Sequence, residues 1–242
     1  MNYYLDIDGQ KIPLRIIEER RRNTRVALGS THVILRIPKI PLIGANVNKH
    51  VEWAKNWLLE LKTSKPHVLD KYLGTKQYVD GDILVIGKHQ FPLKIQKTNR
   101  QSGTIQYKNG SLNIVLPNVN GYDEQKLIRT LLIKFAQNYF LPIIIERVTH
   151  YNTTYFKKPI QQVRLKYNKS NWGSCSTNKA LNFSVRLFFA PDDVIDYVVV
   201  HELAHLVEMN HSDRFWKIVS DIMPDYKEKE QVLKLNNGIY DF

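Results

Sequence analysis

Apolar and polar positions alternate along the first third of the chain with a period of two, the pattern of strands that turn one face inward. Tyr3 to Ile7 and Ile12 to Ile17 read as strands on either side of Asp8-Gly9. Arg25 to Leu28 and His32 to Ile37 repeat the arrangement around Gly29-Ser30. The period then changes: Val51, Ala54, Trp57, Leu58 and Leu61 recur at helical spacing and predict an amphipathic helix from Val47 to Leu61, closed by Ser64-Lys65-Pro66. Its tryptophans, Trp53 and Trp57, are expected to anchor a core or an interface. Alternation resumes over 83–86 and 91–95, and Asn109-Gly110, between Ile105 to Tyr107 and Leu112 to Leu116, is the strongest hairpin signal in the chain. Pro117 ends this β-rich part and sets an expected boundary between residues 1–118 and 119–242. No internal repeat or low-complexity tract stands out.

The second part changes character. Leu127, Leu131, Phe135 and Tyr139 form one stripe of a helix from Tyr122 to about Val148, which Pro142 is expected to kink or divide. Ile160 to Tyr167 alternates as a strand and is followed by a loop of small polar groups, Asn168 to Ser176. Ala180 to Phe188 reads as a further strand, either an edge that aligns an extended peptide or an interior one. Pro191 suits a first helical position, and Asp192 and Asp193 suit the positive end of the helix dipole. The fold class expected from this order is α+β.

That last helix carries the chemistry. In His201-Glu202-Leu203-Ala204-His205 the two histidines, four apart, project from one helix face and can close on the same ion, with Glu202 one step round. This is the H-E-x-x-H arrangement: two neutral imidazoles and a third protein ligand around zinc, the fourth position left for water, and Glu202 as the base that takes the proton of that water. With eight His and ten Glu in 242 residues, the pattern arises by accident about 0.01 times per chain. His211 is the preferred third ligand, brought back by a left-handed turn at Asn210 that ends the helix. Glu208 competes for the position; otherwise it supports the ligands from behind or is solvated. For the oxyanion donor, Tyr226 is the first candidate, with Asn171 or Arg186 in its place as alternatives. Phe215 and Trp216 are expected in the core, and Cys175 as a packed thiol.

Charge adds a second theme. The net charge is +12, with 18 Lys and Arg against 9 Asp and Glu in residues 1–100 and 17 against 14 in the rest. Residues 151–190 carry Lys157, Lys158, Arg164, Lys166, Lys169, Lys179 and Arg186 and no acid. Such a stretch is either a solvated face or a surface for an anionic partner: an acidic peptide, a nucleotide or a nucleic acid. The cluster Arg20-Arg21-Arg22-Asn23-Thr24-Arg25 suits phosphate or carboxylate recognition, or protects a strand edge. No apolar run of membrane-spanning length and no signal peptide is read, and the single Cys175 excludes an intrachain disulfide framework; a cytoplasmic location is expected.

Asn171-Trp172-Gly173-Ser174-Cys175-Ser176, Leu181-Asn182, Asp196 to His205, Asn210-His211-Ser212, Phe215-Trp216 and Pro224-Asp225-Tyr226 together resemble the YgjP-like metallopeptidase family. More remotely they are similar to SprT- and Wss1-type zinc proteases that act on protein crosslinked to DNA. The resemblance implies a compact zincin-like catalytic domain, zinc on His201, His205 and His211, and Glu202 as general base. The histidine spacing also equals that of the metzincins, but Glu208 stands where those enzymes carry Gly and no Met-turn follows. The expected activity is a zinc peptidase acting on peptide or protein. The alternatives are a metal-dependent nucleotide phosphohydrolase and a nucleic-acid-binding protein with a structural metal.

Overall fold

The computed structural model describes residues 3–8, 10–29, 32–39, 47–64, 68, 69, 72 and 76–242. Gly9, Ser30, Lys65 and Pro66, which complete three of the expected turns and stops, lie outside the described residues. The architecture is α+β. The chain separates into two compact units, residues 1–75 and 76–242, each with its own apolar core.

In the first unit, strands β1 (Tyr3–Ile7), β2 (Gln10–Glu19), β3 (Arg25–Leu28) and β4 (Val33–Pro38) form one sheet in the order β1-β2-β4-β3. The pair β2–β4 is parallel and the two outer pairs are antiparallel. Leu5, Ile7, Ile12, Leu14, Val33, Leu35 and Ile37 point to one face and are buried with Ala54 and Leu58 of helix α1 (Val47–Ser64). Trp57 packs on this core, whereas Trp53 is 45% exposed.

The second unit opens with the same plan. Strands β5 (Ile83–Ile86), β6 (His89–Thr98), β7 (Thr104–Lys108) and β8 (Ser111–Pro117) are ordered β5-β6-β8-β7, and helix α2 (Glu124–Tyr151) follows. The registers coincide at a constant displacement of 79 residues. Leu5 faces Ile12 as Leu84 faces Phe91, Leu14 faces Val33 as Leu93 faces Leu112, and Arg25 faces Arg36 as Thr104 faces Val115. Even the closing hydrogen bonds match, Lys39 N–H to Glu19 O at 3.0 Å and Asn118 N–H to Thr98 O at 2.8 Å. Asp8 and Gly87, at equivalent turns, share a left-handed φ of 53° and 55°. The chain therefore contains an internal structural repeat, contrary to the expectation from sequence. Only seven of positions 3–39 carry the residue found 79 further on, because what the sheet needs is an apolar side chain at alternate positions, which many residues supply.

The expected boundary near residue 118 falls instead at 75/76. The reason is packing: Leu84, Ile86, Phe91, Leu93 and Ile114 share one core with α2 and everything after it. Helix α2 runs through Pro142 without a break and passes into a π-helical turn, Asn152–Phe156. Also contrary to expectation, it is long and apolar enough to match a membrane span. Eight of its side chains, from Ile128 to Val148, are nonetheless buried in the core. Then come β9 (Gln162–Lys166), β10 (Gly173–Cys175) and β11 (Ala180–Ser184), ordered β10-β11-β9. The expected strand from Ala180 to Phe188 is β11 followed by a 3-10 turn, Val185–Phe189, and β11 is the interior strand, with β10 on the edge. Helices α3 (Asp192–Ala204), α4 (Asp213–Ile222) and α5 (Tyr226–Asn236) complete the unit.

Because the larger core lies wholly within residues 76–242, this segment expressed alone is expected to unfold in one cooperative calorimetric transition. Absence of that transition would mean that the core depends on the first unit.

Candidate metal centre

Helix α3 is made by burial more than by propensity. Val198, Val199 and Val200 are β-branched and poor helix formers, yet all are at most 4% exposed. Its first turn is fixed from outside: Arg147 of α2 donates to Asp192 Oδ1 and Asp196 Oδ1, each at 2.5 Å. The other end is where the chemistry sits. The helix stops at Ala204, with His205 as its cap. Leu206 N–H then donates to Leu203 O at 3.0 Å, and Val207 and Glu208 N–H donate to Ala204 O at 2.9 Å. This reversal brings His211 back without a left-handed Asn210, since that residue is absent from the positive-φ positions; the turn begins five residues earlier than expected. Ser212 caps α4 by accepting from Phe215 N–H at 3.4 Å, which fixes the direction in which His211 leaves.

The three imidazoles converge. One ligand atom from each of His201, His205 and His211 lies within 4.8 Å of the others, and the Nε2 atoms of His201 and His211 are 3.0 Å apart. Tetrahedral zinc with about 2.0–2.1 Å bonds needs nitrogens about 3.3 Å apart, so the donor set fits a single ion. Burial first, then the neighbouring His205 and His211, push the His201 imidazole down to about 3, which keeps it in the neutral form that ligates. His205 Nδ1–H donates to the backbone oxygen of Glu208 at 3.2 Å and so turns Nε2 toward the centre. Glu208 therefore acts through its peptide carbonyl. Beneath the triad, fully buried Phe215 lies 4.5–4.9 Å, ring centre to ring centre, from each imidazole. Trp216 stacks on His211 at 5.6 Å. These aromatics belong to the core as expected, and they also form the floor that orients the ligands.

Glu202 is 4% exposed, and burial pushes its carboxyl up to about 8. Its Oε2 is buried with no hydrogen-bond partner among the described residues, as is Nδ1 of His201. The wall against it is Gly173: a Cβ there would stand 2.5 Å from Oε1 and 2.7 Å from Cγ of Glu202. Sequence reading took Gly173 for part of a polar loop; the strand β10 and its contact with α3 are tertiary facts. Beside Glu202 and His201 lies a cleft of about 440 Å³ that Asn171, Trp172 and Tyr197 also line.

The other candidates fall into place around this. Tyr226 stacks on Trp216 at 5.2 Å, so it adjoins the triad through that indole and does not line the cleft. Asn171 does, and its Oδ1 accepts from Asn168 Nδ2 at 3.1 Å. Arg186 is withdrawn from both roles expected of it, oxyanion donor and part of a basic surface. At 3% exposure, it donates to Tyr240 O at 2.7 Å and Asn168 O at 3.2 Å and lies 4.9 Å over the ring of Trp172. It fastens the 168–172 loop to the 237–241 segment. The thiol of Cys175, raised to about 11 by burial and then by Glu202, is a packed one.

The sequence profile of the YgjP-like metallopeptidase domain matches residues 7–236. The chain belongs to the YgjP-like metallopeptidase family. The match takes in the first structural copy from the end of β1, the whole of the second and the histidine triad, and membership implies a metal cofactor, for which the triad offers the donors. No curated protein matches. Among solved structures, the chain is similar to the metallopeptidase zymogens abylysin of Pyrococcus abyssi and jannalysin of Methanocaldococcus jannaschii. They share 21% and 19% identity, cover 38% of this chain and 92% and 93% of theirs, and give TM-scores of 0.35 and 0.34.

Gly173→Ala is expected to destabilise the YgjP-like domain by about 1–3 kcal/mol through overpacking against Glu202. Gly238→Ala, where an added Cβ meets nothing within 4 Å, should leave it unchanged. Thermal unfolding of the two variants checks this, and equal stabilities would show that Glu202 is not confined.

Proposed function

We propose that this metallopeptidase is a zinc peptidase of the H-E-x-x-H type, with His201, His205 and His211 as ligands and Glu202 as general base. One observation carries the reading: three imidazole donors meet within 4.8 Å beside a buried carboxylate oxygen that has no partner of its own. Zinc held there supplies Lewis acidity, polarising a carbonyl oxygen and making water a stronger acid. Glu202, whose buried Oε2 has no partner among the described residues, accepts the proton of the attacking water and returns it to the leaving amine. The Asn171 amide, which lines the cleft, and Tyr226, stacked on Trp216 outside it, are the candidate donors to the developing oxyanion. A peptide substrate is supported by β10, an edge strand paired on one side only with β11 and lying against α3 at Gly173. An extended chain pairing with that edge passes directly by Glu202. The proposal includes a reducing, cytoplasmic setting, in keeping with a single unpaired Cys175.

Purified protein is expected to carry about one equivalent of zinc and to cleave an unstructured protein in a chelator-sensitive reaction. Glu202→Gln should keep the metal and lose cleavage by at least about 10²-fold, the usual worth of a general base, while His211→Ala should lose metal as well. Metal analysis and gel assays decide it. Cleavage that survives Glu202→Gln or full chelation would overturn the reading, and phosphate release from nucleotides would replace it with a phosphohydrolase.

A further inference from the structure

We propose that the open face of the first unit's sheet, the face opposite α1, binds single-stranded nucleic acid through Arg15, Arg25 and Arg36. The two central strands carry Arg15 on β2 and Arg36 on β4, and Arg25 on β3 lies directly opposite Arg36. All three have the parity opposite to the buried Leu14, Val33 and Leu35, so they share the outer face. Arg15 and Arg25 are exposed and have no carboxylate partner among the described residues; Arg36 lies 3.7 Å from Glu19 and keeps a third of its side chain exposed.

Protection of a strand edge does not account for this pattern. The edges of the sheet are β1 and β3, whereas Arg15 and Arg36 stand on the inner strands. Nor does the fold require guanidinium groups there. The second copy of the same sheet, in the same register, carries Lys94, Thr104 and Val115 at the equivalent positions. The internal repeat thus acts as a built-in control: one scaffold, two outer faces, and arginine at these three strand positions on only one, the second face having Arg100 at its margin. Thirteen Lys and Arg against seven Asp and Glu in residues 1–75 set the field of this unit in the same direction.

The choice of nucleic acid over an acidic peptide comes from what lies between the charges. Ile34 faces Arg15 across the β2–β4 pair and Ile17 faces Arg36, both partly exposed, and Tyr4, 58% exposed, lies on the adjoining strand β1. Guanidinium forks hold phosphates two oxygens at a time, the aliphatic side chains of Ile17 and Ile34 between Arg15 and Arg36 offer contact area to sugars and bases, and the ring of Tyr4 beside Arg15 offers a stacking face. A single strand brings an unpaired base beside every phosphate and so engages both features at a regular spacing, whereas a duplex keeps its bases paired inward.

The test uses the full chain and fluorescein-labelled 20-nucleotide single strands of mixed sequence. The triple variant Arg15→Gln, Arg25→Thr, Arg36→Val takes polar or apolar side chains already tolerated on a sheet of this design, and Arg25→Thr alone, at an exposed edge position, serves should the triple fail to fold. Binding is expected to weaken at least tenfold in the triple and two- to threefold in the single variant. The slope of log affinity against log salt should fall by about 2, given about 0.7 per phosphate contact on a single strand. Lys94→Gln with Arg100→Gln, on the second copy, should bind as wild type does. Unchanged binding in the Arg variants, equal loss in the second-copy control, preference for duplex, or equally effective competition by poly-glutamate would each overturn the proposal.

Discussion

The arrangement of this molecule around its reactive end depends on one carboxylate being kept out of water. Glu202 sits in the last turn of a helix whose valines favour it only because the surrounding core takes them in, and it is pressed against a backbone position that tolerates no side chain. An ionised carboxylate so placed, with one oxygen unpartnered, is costly unless a cation or a transferable proton is close by. The convergence of three imidazoles on one point beside it supplies the place for that cation. Phe215 under the rings, the clamp of Arg147 on the helix start and the carbonyl of Glu208 on His205 all hold this one geometry.

What could be read from the sequence was whatever depends on spacing within an element. The four-residue interval between His201 and His205 fixes a shared helix face, and the alternation in the first third fixes strands whose inward residues are the buried ones. The helix end was harder to place: Asn210 has the chemistry of a stop, but the chain turns at His205, where hydrogen bonds back to Leu203 and Ala204 are satisfied sooner. Three-residue β10 is too short to show a period, and the need for glycine at 173 exists only because α3 passes within contact of it. Arg186, counted as surface charge from sequence, found backbone carbonyls and the face of Trp172 in the interior.

The duplicated sheet-and-helix plan was hidden for a related reason. Two copies that agree in register at every pairing share few residues, because a half-buried strand constrains volume and polarity at every second position and almost nothing between them. The copies also diverged in use. In the second, the following helix is ten residues longer, 28 against 18, and packs on through the core that carries α3. In the first, the sheet closes a small core with its own helix and leaves its other face to solvent.

The contact between His205 and residue 208 bears on how the site can change over time. The acceptor is a peptide oxygen, present whatever side chain the position carries, so the ring of His205 is held by the path of the chain and not by the identity of Glu208. Substitution at 208 is thereby decoupled from ligand orientation as long as the backbone keeps its course, which leaves the position open to drift in charge and size.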